Sequence, residues 1–117
     1  MSLLVALAIA VCPASGVRVT CVHDGDSIVW QRERIRLENI DTPELDGRCA
    51  AERRRAVAAR DRLVELLRSG RPVIRRTGTD RHGRTLARVS VNGRDVGTVL
   101  VREGHARPWE GRRRPWC

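Results

Sequence analysis

The chain contains no lysine, no tyrosine and no phenylalanine. Trp30, Trp109 and Trp116 are its only large aromatic side chains, so a ring-built interior is excluded and the core must rest on Val, Leu, Ile and Ala. At 117 residues, length predicts one small domain with a modest core. No cysteine pair has the close C-x-x-C spacing of a zinc site. The sequence shows no internal repeat and no linker between two domains. Carboxylates are scarce: 14 Asp and Glu face 23 Arg, for a net charge of +9. A GC-rich genome explains Arg in place of Lys but not the excess of positive charge. That excess favours a polyanionic partner, either nucleic acid or an anionic membrane.

The longest apolar run, residues 3 to 11, is too short for a bilayer, which needs about 20 residues. No transmembrane span is predicted. The run suits the hydrophobic region of a secretory signal, with Ala14-Ser15-Gly16 as a small-residue cleavage site, although no basic residue precedes it. The alternatives are an N-terminal strand or an exposed hydrophobic tail. The reading divides the chain into a leader, residues 1–16, and a domain, residues 17–117, that is secreted or periplasmic. Cys12 lacks a small residue before it, which argues against a lipoprotein anchor. An exported chain allows disulfides. Cys49 with Cys117 would tie back the tail, but cleavage after Gly16 would remove Cys12 and leave Cys21 odd, so other pairings stay open.

Strands are expected at residues 17–22, 26–30, 34–37, 72–77 and 84–91. In the third, Ile35 and Leu37 face one way and Arg34 and Arg36 the other. Ala56, Ala59, Leu63, Leu66 and Leu67 recur at helical spacing, which predicts a helix over 50–68 ended by Ser69-Gly70. Its arginines, including Arg53, Arg54, Arg55, Arg60 and Arg62, read as a solvated face. Asn92-Gly93 signals a hairpin turn, residues 97–103 a short helix, and the tail from Arg107 shows no periodicity. The fold class is therefore α+β, mainly β: a five-stranded antiparallel oligonucleotide-binding barrel with one long inserted helix and one short helix.

Where the few acids fall is informative. Asp24-Gly25-Asp26-Ser27 is followed by Arg36-Leu37, then Ile40-Asp41-Thr42-Pro43-Glu44, then Asp80-Arg81-His82-Gly83-Arg84. Phosphodiester hydrolysis needs an aligned nucleophile, neutralised phosphate charge and help for the leaving oxygen. Asp26 and Asp41 supply hard oxygen ligands. Thr42 precedes a proline, whose extended bias can fix its carbonyl as a third. An all-oxygen set favours calcium or magnesium over zinc. Glu44 can orient or deprotonate the attacking water. Arg36 and Arg84 offer forks for phosphate oxygens. Taken singly, each piece reads as a turn, a loop or a surface charge; the ordered set does not. His23, His82 and His105 read as packing or surface residues, and Arg112-Arg113-Arg114 as a solvated basic tail that adds nonspecific phosphate attraction.

The ordered set, extended by Thr85-Leu86-Ala87 and by residues 100–106, resembles the staphylococcal nuclease (thermonuclease) family from Val17 to about Trp109. The resemblance implies a calcium-dependent nuclease of DNA and RNA giving 3′-phosphorylated products. It implies that Asp26, Asp41 and the Thr42 carbonyl bind Ca2+, with Asp24 nearby. By the same analogy Glu44 acts on the attacking water, and Arg36 and Arg84 stabilise the phosphate in the transition state. Ser27 stands where the family usually has Thr, His82 where it often has Tyr, and the family's nucleotide-holding tyrosines are missing. Trp109 is the substitute stacking surface. A monomer without a stable protein partner is expected. The competing readings are a noncatalytic nucleic-acid-binding barrel and a membrane-surface protein.

Overall fold

The computed structural model describes residues 9–117. Residues 3–8, most of the apolar run, lie outside the described residues. Nine strands and two helices follow in order: β1 (Ala10–Val11), β2 (Cys21–Asp24), β3 (Ser27–Trp30), β4 (Glu33–Leu37), β5 (Ile40–Asp41), α1 (Ala50–Arg68), β6 (Pro72–Thr79), β7 (Thr85–Val91), β8 (Arg94–Asp95), α2 (Val96–Arg102) and β9 (Arg107–Pro108). The main sheet runs β1-β2-β3-β4-β7-β6, with β8 on β7, and β5 pairs separately with β9.

The α+β architecture stands and is consistent with an oligonucleotide-binding-like fold, but the pairing is mixed where an antiparallel barrel was expected. The sheet is a curled half-barrel of mixed pairing. β4 runs parallel to β7, and β1 parallel to β2, because α1 or a long loop separates each pair in sequence and a tight hairpin cannot join parallel neighbours. Four of the nine strands are two residues long and too short to show a sequence period.

Hairpins set the register on the site side. Gln31 (φ 48°) and Arg32 (φ 70°) turn β3 into β4, pairing Ser27 with Arg36 and Ile28 with Ile35. Asn92 (φ 53°) and Gly93 (φ 76°) form the expected turn from β7 to β8, where the left-handed backbone matches the strand twist.

Helix α1 starts at Cys49, whose sulfur accepts from Glu52 N at 3.4 Å. It buries Ala56, Ala59, Leu63, Val64 and Leu67. These meet Val22, Ile28, Ile35, Leu37, Val89 and Leu100 in an aliphatic core without a fully buried ring. Arg53, Arg54 and Arg55 are exposed, as read. Arg62 makes two bonds to the Glu103 carboxylate, 2.7 and 2.9 Å, and so ties α1 to the end of α2. No described helix is long and apolar enough to cross a membrane.

Residues before Val17 also pack against the sheet and α1. Ile9 is in the core, β1 pairs with β2, and Arg68 Nε donates to the Ile9 carbonyl at 2.7 Å. Cys12 is bonded to Cys21, and Cys49 to Cys117, the latter as anticipated. Ala14-Ser15-Gly16 lies between β1 and β2. Leu63 is fully buried among these groups, so Leu63→Ala is expected to lower unfolding free energy by about 2–5 kcal/mol in a urea titration.

Candidate functional site

The acids converge through three local devices. In the β2–β3 turn, Asp24 Oδ1 accepts from Asp26 N at 3.2 Å and from Ser27 Oγ at 2.7 Å, which fixes the turn and aims Asp26 inward. Gly25 is required there: a Cβ would lie 2.9 Å from Ala59 Cβ and 3.0 Å from Thr42 Cγ2. Asp41 is held by the β5–β9 pairing, which sets it opposite Arg107. Glu44 is placed through its backbone N–H, which donates to Glu52 Oε2 at 3.0 Å.

Asp26, Asp41 and Thr42 are almost fully buried, while the Glu44 side chain is about a third exposed. Thr42 N approaches Asp26 Oδ2 at 3.4 Å, and Thr42 Oγ1 is buried without a hydrogen-bond partner. Burial, then the neighbouring Asp24 charge, pushes the Asp26 pKa up to about 7. Burial also raises Asp41 and Glu44, with Arg113 opposing the shift in both.

Arg36 lies on the face opposite Ile35 and Leu37, but it is not solvated as strand alternation alone suggests. It is 6 % exposed, donates to the Leu37 carbonyl and, at 2.9 Å, to the Ile40 carbonyl, and sits 3.7 Å from Asp26 Oδ2. Trp109 covers it, with the guanidinium 5.2 Å from the ring centroid. Arg84 is held by Asp80: its Nε donates to Oδ2 at 2.8 Å and its backbone N–H to Oδ1 at 2.9 Å. Arg36, Arg84, His82 and Trp109 line one cavity of 720 Å³. Asp41, Glu44, Glu52 and Trp116 line another of 510 Å³. Arg113 is the one residue lining both.

Arg113 is the residue sequence reasoning misplaced. Expected in a solvated tail, it contacts Asp41 Oδ1 and Glu44 Oε1 at 2.8 Å, Asp26 Oδ2 at 3.7 Å and the Thr42 carbonyl at 3.5 Å. Only the arginine run at 112–114 hinted at it. Glu52 was also missed, although Cys49-x-x-Glu52 has capping-box spacing. Its carboxylate accepts from the Glu44 and Arg48 backbones rather than from residue 49.

Among the described residues no three His, Cys, Asp or Glu side chains are grouped to hold a metal ion. Asp26, Asp41 and the Thr42 carbonyl nonetheless fit a hard cation, because they already gather a guanidinium and offer only oxygen. Remaining positions on calcium or magnesium would fall to water or phosphate.

A mixed sheet thus carries buried acids beside an arginine-lined cavity. The chain belongs to the staphylococcal nuclease homologue family, whose model matches residues 34–115. No curated protein matches the chain.

Because the folded Asp26 pKa lies above the unfolded value near 3.8, the folded chain holds an extra proton between those values. The stability this contributes is complete below about pH 4 and is lost as pH rises through about 7. Urea midpoints of the wild type should therefore fall more steeply than those of Asp26→Asn between about pH 4.5 and 7.5 in chelator. Parallel profiles would place the Asp26 proton elsewhere.

Proposed function

We propose that the chain is a calcium-dependent nuclease that hydrolyses phosphodiester bonds in DNA and RNA and leaves 3′-phosphorylated products. The observation that carries this reading is that Arg113 ion-pairs with Asp26, Asp41 and Glu44 and also lines the cavity that holds Arg36 and Arg84, in a chain of this family. Two disulfides fit an oxidising location, secreted or periplasmic.

Asp26, Asp41 and the Thr42 carbonyl would hold the calcium ion. When bound, it neutralises phosphate charge and favours attack by water. Glu44 orients that water and accepts its proton; the raised pKa brings its carboxylate nearer the proton affinity such a step needs. Arg84, oriented by Asp80, forks onto the phosphate oxygens where charge grows in the transition state. Arg36 does the same from the buried side, its direction set by two backbone carbonyls. Trp109, 38 % exposed above Arg36, offers a face for a base to stack on.

A second reading, a binding module that does not cut, is favoured by the ion pairs through which Arg113 holds the acids. Purified chain with single-stranded DNA separates the two. Cleavage with calcium that stops in excess chelator is expected. Glu44→Gln and Arg84→Ala should each lower turnover about 10²–10⁴-fold with urea midpoints unchanged. Tight binding without cleavage under any divalent cation would establish the binding module.

A further inference from the structure

We propose that the C-terminal tail is a latch whose Arg113 side chain and the divalent cation exclude one another from the acid site. The inference rests on the nuclease reading and adds a control to it. Three observations carry it.

The first is coincidence of atoms. Arg113 uses the Asp41 carboxylate and approaches Asp26 and the Thr42 carbonyl, the three groups assigned to the cation, and it also binds Glu44. A calcium ion draws its oxygens to about 2.3–2.6 Å. A divalent ion on Asp41 would stand within a few ångströms of a guanidinium held 2.8 Å from the same carboxylate, and the two positive charges repel. The acid site therefore holds one cation or the other.

The second is construction of the tail. β9 anchors its start, and Trp109 N donates to the Asn39 carbonyl at 2.9 Å. Its far end is bonded to Cys49, the cap of α1. Between these points Arg107 Nη1 donates to the Pro115 carbonyl at 3.0 Å, and its guanidinium stacks on Trp116, 3.6 Å from the ring centroid. Arg55 approaches the same ring at 5.1 Å. Fixing both ends of a short strap keeps Arg113 at high effective concentration beside the acids.

The third is the pair of cavities. Arg113 lines both the space holding Arg36 and Arg84 and the space holding Glu44. Moving it out joins the phosphate-binding arginines to the group that activates water.

Calcium binding measured by calorimetry on the full chain tests the latch without reference to turnover. Arg113→Ala should tighten calcium at least about tenfold. Arg112→Ala, which removes equal charge from the next position, should change it less than about threefold. The double variant Cys49→Ser with Cys117→Ser should tighten it by an intermediate factor, with serine retaining the helix cap. Calcium should also speed trypsin cleavage after Arg113 in the wild type, read by mass after reduction. If calcium binds but Arg113→Ala is no tighter than Arg112→Ala, the latch is overturned and the nuclease reading stands. If no variant binds calcium, the latch and the calcium requirement fall together. Unchanged cleavage on calcium addition also overturns the latch.

Discussion

A carboxylate removed from water requires positive charge close by, and Asp26 is 1 % exposed at the end of this sheet. Its neighbours follow from that constraint. Asp24 holds the turn that points it inward, and Arg36, directed by the Leu37 and Ile40 carbonyls, stands 3.7 Å away. Arg113 reaches the same oxygen from the tail. Burial raises the Asp26 pKa despite both guanidiniums. A small chain with an aliphatic core has little energy to spare for such a group.

The elements that could be read in the sequence were those with a period or a turn signature. Helix α1 spans the expected residues because its alanines and leucines repeat over five turns. The strands β3, β4, β6 and β7 fall near the expected positions, as does the Asn92-Gly93 turn. The first strand was expected too early: Cys21–Asp24 pairs with β3, whereas 17–20 is irregular. Two-residue strands leave no such trace. β5 and β9 exist because each completes the other, and their partners lie 68 residues apart at Ile40 and Pro108. A window of sequence contains only one half of that pairing.

The candidate site divides the same way. Asp26, Arg36, Asp41, Thr42, Glu44 and Arg84 stand out in the sequence by their residue types, order and spacing. Strand alternation gave Arg36 the correct face but not its burial, since Trp109 arrives from the tail to cover it. Arg113 was invisible for a related reason. Three consecutive arginines near a terminus look alike in sequence, and only tertiary contact shows that Arg113 is the one paired with Asp41 and Glu44.

The two disulfides also determine how the molecule would respond to force. A pull between Ile9 and Cys117 does not travel along the backbone through α1, β6, β7 and α2, because the bond from Cys117 to Cys49 short-circuits that whole ring. The loop from Cys12 to Cys21 is bypassed in the same manner. Tension passes through the segment from Cys21 to Cys49, which holds Asp26, Arg36, Asp41 and Glu44. Unravelling that segment releases about 95 Å of chain. Under mechanical load the site is therefore the yielding element, while the two cross-linked loops remain slack.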